Sequence, residues 1–298
     1  MRRAAWCASS GVFALALSGS ALAAQQKVSA GWSTTPTVSV RLFAAVGSVQ
    51  VVGWDRDSVQ LTGSVPADSH VGMTGPNPGK IEGLKAFIEA ATEQRGREGA
   101  LTLRVPRGAR VWVKTGSAQI TAADVTGGLD LNVVGGSIAV RGSPRELRAE
   151  SMDGGVTVQG TPEWSRVKTA TGDIVLRGGG TNIGASTISG SIDARGGAAE
   201  RAAFETTSGA IRFGLDVVRG ASVELETHSG SIAVLLPRKA DLTVDAASVT
   251  GTIDNAWTRA RPVMGREGRG MSLVAENGTA SGRVVVRSFK GRIVLRAP

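Results

Sequence analysis

The chain has 298 residues, 41 of them glycine, with no tyrosine, 4% aromatic and 41% apolar residues, and a formal net charge of +9. This composition excludes a wholly disordered chain, which would be poorer in β-branched residues and richer in charge, and the glycines lack the three-residue period of collagen. Two histidines and one cysteine leave almost no material for zinc, thiol or disulfide chemistry, so neither a metal nor a cofactor is expected.

The first element is an address. Arg2 and Arg3 form a positive n-region, Gly11 to Leu17 a short apolar h-region, and Ala21-Leu22-Ala23 supplies the small residues a signal peptidase needs. We read residues 1–24 as a signal peptide and 25–298 as a single β-strand-repeat domain, exported to the periplasm or the cell surface. No segment of the mature chain reaches the ~20 apolar residues of a transmembrane helix. Cys7 leaves with the signal, so the exported chain folds without disulfides.

The repeat begins early and resumes after a break. Leu42, Val49 and Val51 alternate around Gly47. Residues 64–99, with Pro66, Pro76 and Pro78, are expected to be irregular. Within them Ile81, Leu84, Phe87, Ile88 and Ala91 fit helical spacing, while the same stretch also reads as a strand. Then a short phrase recurs in which Gly is followed two residues later by Ile or Val. Its marker glycines are Gly136, Gly154, Gly172, Gly190, Gly209, Gly230 and Gly251, spaced 18, 18, 18, 19, 21 and 21 residues apart, with Gly116 as a forerunner. Residues 255–282, rich in Arg and Gly, form a second irregular stretch, and Gly291 carries the phrase a last time.

Around each marker, apolar residues recur at even steps, the period of a strand. Ile138, Val156, Ile174, Ile192, Ile211, Ile232 and Ile253 stand two after it, and Leu131, Ala149, Val167, Ala185, Phe204, Leu225 and Ala246 five before. Three before stand Ser151, Thr169, Thr187, Thr206, Thr227 and Ser248, expected to form a hydroxyl ladder along the stack. The marker glycine is expected at a turn whose backbone a residue with a Cβ would not tolerate. Two short strands per unit are marginal alone, and stacking buries a continuous core. The architecture expected is all-β: a β-solenoid of stacked 18–21-residue two-strand rungs, each coil about 60–70 Å around. An elongated β-sandwich is the alternative.

The repeated S/T-G-x-I phrase, GSVQVVGWD at Gly47 to Asp55 and LRVPRGARVWV at Leu103 to Val113 resemble the bacterial "putative adhesin" family of β-strand-repeat proteins, a domain family of unknown function. The resemblance covers roughly residues 38–298. It implies an exported all-β protein and no catalytic residue. It also points to proteins associated with envelope signalling.

Candidate chemistry is sparse. A glycoside-cleaving solenoid needs two carboxylates roughly 5–10 Å apart. Asp193 and Asp254 share a repeat position but stand three rungs apart in the chain. His228 and Ser229 are strand neighbours whose side chains face opposite ways. Trp32, Trp54, Trp112, Trp164 and Trp257 share no repeat position, so no aromatic sugar-binding ladder is expected. Charge is more telling: apart from Arg2 and Arg3, residues 255–298 hold nine basic and two acidic residues, and the rest of the mature chain balances. Such asymmetry suggests an anionic partner. Arg259, Arg261, Arg266, Arg269, Arg283, Arg287 and Lys290 are the candidate anion-binding residues. The partner expected is an anionic envelope polymer or surface (lipopolysaccharide or acidic polysaccharide) or a protein, with no nucleic acid. The function expected is that of a non-enzymatic, adhesin-like interaction protein of the envelope or surface. A periplasmic accessory or sensor protein and a carbohydrate-active enzyme are the alternatives.

Overall fold

The computed structural model describes residues 25–74, 81–89, 99–265 and 269–298; the expected signal peptide lies outside them. The chain opens with β1 (Gln25–Ala44), turns at Gly47 into β2 (Ser48–Trp54), and runs through β3 (Ser58–Pro66), β4 (His70–Thr74), β5 (Ile81–Glu89) and β6 (Ala100–Pro106). Short strands then alternate: β7 (Arg110–Thr115), β8 (Gln119–Ala123), β9 (Gly128–Val133), β10 (Ile138–Arg141), β11 (Glu146–Ser151), β12 (Val156–Gln159), β13 (Trp164–Thr169), β14 (Ile174–Arg177) and β15 (Gly180–Thr187). The longer β16 (Ile192–Thr206) and β17 (Ile211–Thr227) each leave one rung and enter the next. The chain closes with β18 (Ile232–Leu235), β19 (Leu242–Ser248), β20 (Ile253–Asn255), β21 (Val263–Met264), β22 (Met271–Asn277), β23 (Gly282–Ser288) and β24 (Ile293–Arg296).

The rungs pair in parallel on two faces, which makes this a β-solenoid; a sandwich of antiparallel sheets is excluded. The first face runs β5–β1–β7–β9–β11–β13–β15–β16–β17–β23–β19. The second runs β6–β2–β8–β10–β12–β14–β16–β17–β18–β24–β20. At ~4.8 Å per rung the stack is about 50 Å long. Segment 81–89 is a strand, with Leu84, Ala86 and Ile88 buried in alternation beside β1.

Neither end follows chain order. The β5–β6 rung, which the sequence pattern missed, lies outside the β1–β2 rung that precedes it in the chain. At the other end the last rung, β23–β24, slots between β17–β18 and β19–β20. Antiparallel strands cover the outer edges, β4 on β5 and β22 on β19, and so shield strand edges from pairing with other chains. Asp193 and Asp254 are therefore four rungs apart.

The core is the pair of columns the alternation predicts. Val49, Ile120, Ile138, Val156, Ile174, Ile192, Ile211, Ile232, Ile293 and Ile253 stack in register and are buried. Facing them, Leu42, Val113, Leu131, Ala149, Val167, Ala185, Phe204, Leu225, Val286 and Ala246 are buried too. Size is balanced between rungs: Phe204 and Phe213, with ring centroids 5.9 Å apart, lie against Ala185 and Ala194 of the preceding rung. Small residues in one layer make room for the rings in the next, as dense packing requires.

The glycines serve two different purposes. None of the marker glycines has a positive φ, which corrects the expectation that turn geometry demands them. A Cβ on Gly154, Gly172, Gly190, Gly209 or Gly230 would overlap the carbonyl oxygen of the marker one rung before. Glycine is required there because two backbones pass too closely for a side chain. The left-handed backbone falls at the second corner, six residues after the marker, on Gly142 (φ 116°), Gly160 (φ 144°), Gly178 (φ 126°) and Gly196 (φ 72°). Gly116 is out of register: Ile120 pairs with Ile138, so Ala118 holds the marker slot of its rung. That rung is the exception in hydroxyl bonding as well, since the buried Thr115 Oγ1 has no partner.

Elsewhere the hydroxyl column bonds mainly to backbone. The marker N–H donates to the hydroxyl three residues earlier, Gly154 to Ser151 at 3.0 Å, Gly209 to Thr206 at 3.1 Å and Gly291 to Ser288 at 2.7 Å. Ser151 Oγ donates in turn to the carbonyl of Gly136 at 2.8 Å, and Thr206 Oγ1 to that of Gly190 at 3.3 Å. Thr169 and Thr187 make a direct hydroxyl contact at 2.9 Å.

The inserted last rung is held by a clasp. Asp241 accepts hydrogen bonds from the hydroxyls of Thr279 (2.8 Å) and Ser281 (3.0 Å) in the β22–β23 turn. The Thr279 hydroxyl, followed by Ser281, holds the Asp241 carboxyl down to about 2, below the ordinary ~3.9. A depressed folded-state value means the stabilisation is present above about pH 4 and is lost as pH falls toward 2. The melting temperature is expected to drop more between pH 4 and 2 in the native chain than in Asp241→Asn; equal drops would show that the clasp does not contribute.

Candidate functional site

The sequence-predicted basic residues divide sharply. Arg283 and Arg287 lie on the outer side of β23 and converge on Asp245 of β19, at 3.3 and 3.0 Å. Arg287 also donates to the Asp245 carbonyl at 2.7 Å, and its guanidinium, ahead of that of Arg283, lowers the Asp245 carboxyl below the usual range. These two arginines fasten neighbouring rungs together. Arg292 is likewise paired with Asp254. Lys290 is exposed at the marker corner of the Gly291 rung. Arg266 lies outside the described residues.

Arg259 and Arg261 precede β21 and Arg269 stands just before β22; all three are exposed, with no ion pair among the described residues. Asn255 organises the loop that carries the first two. Its Oδ1 accepts from the N–H groups of Trp257 (3.1 Å) and Thr258 (3.2 Å), and its Nδ2 donates to the Ala260 carbonyl (2.8 Å). Trp257 is buried and donates Nε1–H to the Pro237 carbonyl at 3.1 Å. The loop is therefore preorganised, and an incoming anion would meet guanidinium groups on a fixed backbone.

The cap continues as the β21–β22 hairpin, with Val263 opposite Ser272 and Met264 opposite Met271. Along β22, Leu273 and Ala275 point into the core and Val274 points out. Val263, Met264 and Val274 are 61%, 68% and 61% exposed, so the tip carries apolar as well as cationic side chains. Val263 and Met264 escape residue-by-residue reading because a two-residue strand has no visible period.

Three further surface features were not legible in the sequence. A groove of about 560 Å³ crosses the first face where Gly184 and Ala203 leave its floor low, between Arg166 and the carboxylates Glu205, Glu224 and Glu226. A second, of about 400 Å³, is lined by Phe43, Trp112, Arg41 and Arg110; Phe43 packs on Trp112 and Phe87 with centroids 4.5 and 5.2 Å apart. An aromatic cluster thus forms from two register positions, Phe43 and Phe87 paired across β1 and β5 and Trp112 opposite Arg41, two residues earlier. Third, two residues before the marker, Val134, Met152, Ile188, Phe289 and Val249 are exposed along one corner, interrupted by Ala170, Thr207 and His228; His228 stacks against Phe289 at 4.9 Å. No group of metal-ligating side chains occurs among the described residues, and no helix is long and apolar enough to cross a membrane.

The fold is thus a capped two-faced β-solenoid with an amphipathic basic tip. The chain belongs to the Toastrack family DUF4097, whose family model matches residues 37–294. A search of curated protein sequences found no match. Among solved structures, a "putative adhesin" from Parabacteroides distasonis is 13% identical over 92% of this chain and 97% of its own, with a TM-score of 0.46. A "putative lipid binding protein" from the same species is 10% identical over 90% of this chain and 96% of its own, with a TM-score of 0.44. A "putative adhesin" from Bacteroides fragilis is 10% identical over 92% and 98%, with a TM-score of 0.41.

Proposed function

We propose that this chain is an exported, non-enzymatic interaction protein of the cell envelope whose C-terminal end engages an anionic envelope polymer or surface, such as lipopolysaccharide or an acidic polysaccharide. One observation carries the reading: of the basic residues in 255–298, Arg283, Arg287 and Arg292 are neutralised by Asp245 and Asp254, whereas Arg259, Arg261 and Arg269 are exposed around the β21–β22 cap with no ion pair among the described residues. Unpaired exposed charge contributes little to folding and is available to a partner. Its contacts are screened within about 8 Å at physiological ionic strength. Replacing Arg259, Arg261 and Arg269 with serine is expected to leave the melting temperature within about 2 °C, since exposed surface changes rarely exceed ~0.5 kcal/mol. The same change should lower the salt concentration that elutes the protein from a lipopolysaccharide or acidic-polysaccharide column. Equal retention at low salt would reject the reading.

A carbohydrate-active enzyme is favoured by one observation, the pairing of Glu205 and Glu226 on adjacent rungs within a groove. Strand spacing of ~4.8 Å is near the separation of retaining glycosidases. Both side chains are exposed, however, and a general acid needs a setting that keeps it protonated. Hydrolysis of envelope polysaccharide that disappears in both Glu205→Gln and Glu226→Gln would establish this second reading.

A further inference from the structure

We infer that the groove over Gly184 and Ala203 holds a neutral saccharide chain and binds it without cleaving it. The site is independent of the basic tip. Three register columns build it on the outer side of the first face. The middle column runs Arg166, Gly184, Ala203, Glu224 across β13, β15, β16 and β17. Two residues earlier stand Trp164, Asn182 and Arg201, and two later Glu205 and Glu226, on the same side because alternate strand residues share a face. The middle column is low between these flanks. The result is a basin of about 560 Å³, closed by Arg166 and Glu224 on strands roughly 14 Å apart, three strand spacings.

Two features of the basin work against the fold. Gly184 lies inside β15, between parallel neighbours, and its backbone is not left-handed. A Cβ there would meet nothing nearer than the Ser165 carbonyl oxygen at 3.6 Å, so no close backbone passage requires glycine, unlike at the marker positions. Glycine inside a strand weakens it and marks places where another molecule comes close. The second feature is charge. Arg166, Glu205, Glu224 and Glu226 make no ion pair among the described residues, although Glu205 and Glu226 are register partners on adjacent strands, where like charges repel. Opposite charges are held apart across a low floor instead of being paired.

This arrangement selects the ligand. An ion of either sign would be repelled at one end. A neutral polyol uses both ends, because its hydroxyls accept from Arg166 and Arg201 and donate to the carboxylates. Trp164 lines the basin and is held by Arg148 of β11, whose guanidinium carbon lies 5.3 Å from the ring centre. Its indole offers sugar carbons an apolar surface, and its Nε1–H has no partner among the described residues. Glu205 and Glu226 are exposed, without the apolar setting of a general acid, so the site binds and does not cut.

Calorimetric titration with maltohexaose, cellohexaose and chitohexaose tests the assignment. At least one is expected to bind, with an affinity that hardly changes from low to high salt, in contrast to screened charge contacts at the tip. Gly184→Leu fills the floor from a position where a Cβ finds open space. It should weaken binding about tenfold or more while the melting temperature stays within about 2 °C. Trp164→Ala should weaken binding to a similar degree. The variant with serine at 259, 261 and 269 should bind as the unaltered protein does, so that either reading can fail alone. Absence of binding to all three saccharides overturns the inference, as does equal binding by Gly184→Leu and Trp164→Ala. Binding that vanishes at high salt assigns the basin to a charged ligand and also overturns it. Shortening of the bound saccharide, lost in Glu205→Gln and Glu226→Gln, overturns it in favour of the enzyme reading above.

Discussion

Gly209→Ala is expected to destabilise the protein by more than about 4 kcal/mol, a size that single substitutions reach only through strain, overpacking or similar specific damage. A Cβ at this position would overlap the carbonyl oxygen of Gly190, which is backbone and has no rotamer to yield. The same close passage holds the hydrogen bond from the Gly209 N–H to Thr206 Oγ1 at 3.1 Å. Relief would require parting two rungs and breaking the parallel ladder on both faces. Ile192→Ala, which deletes buried methyl groups of the adjacent rung, is expected to cost about 2–5 kcal/mol. Chemical denaturation of both variants decides the matter. A Gly209→Ala cost below about 1 kcal/mol would mean that the rungs can shift to admit a side chain, and that the glycine ladder is a preference rather than a requirement.

Deleting residues 282–298 is expected to abolish cooperative folding of the C-terminal third. In a solenoid stacked in chain order the last rung is an end rung, and its loss leaves the others in place. Here β23 pairs with both β17 and β19, and β24 with both β18 and β20. The deletion removes an internal layer that holds the buried Val284, Val286, Ile293 and Leu295. Each is worth about 1.5–3 kcal/mol, together comparable to the whole stability of a typical domain. The truncated chain should aggregate, or lose amide protection throughout β17–β22. A truncated protein that melts within about 3 °C of the full chain would show that the β19–β20 rung can re-pair directly with β17–β18.

Re-pairing is conceivable because the marker rungs share one pattern, and the same property limited what could be read in advance. The templates at Gly230, Gly251 and Gly291 are alike at most inward positions, apolar five before the marker and Ile two after, with Asn255 four after Gly251 the departure, so little in the pattern says which neighbour each rung chooses. The long 255–282 segment between Gly251 and Gly291 gives the chain room for β22 to run antiparallel and for β23 to return inside. Asp241 and Asp245, which clasp this arrangement, carry no repeat signal in the sequence. Gly116 was out of register for a related reason: glycine spacing alone cannot distinguish a marker from a glycine two residues earlier, whereas the pairing of Ile120 with Ile138 can. The β5–β6 rung was concealed because 90–98 separate its two strands, although Leu101, Leu103 and Val105 after Gly99 carry the alternation.

The site was partly legible. The excess of positive charge in 255–298 is a property of composition, and it led to seven candidates, of which Arg259, Arg261 and Arg269 are exposed with no ion pair among the described residues. That Arg283 and Arg287 are spent on Asp245 could not be known, because 38 or more residues separate the partners in the chain. The exposed Val263, Met264 and Val274 were equally hidden, since apolar residues in sequence are by default assigned to a core.

By itself, the sequence determined the strand period, the repeat interval and the inward columns, because a two-residue alternation repeated at a fixed interval brings like apolar residues into register when the units stack. Only the tertiary structure decided the order of the end rungs, the steric reason for the marker glycines, and which charges stay unpaired. These depend on distances between segments far apart in the chain, and a repeated pattern makes such segments interchangeable until the backbones are stacked.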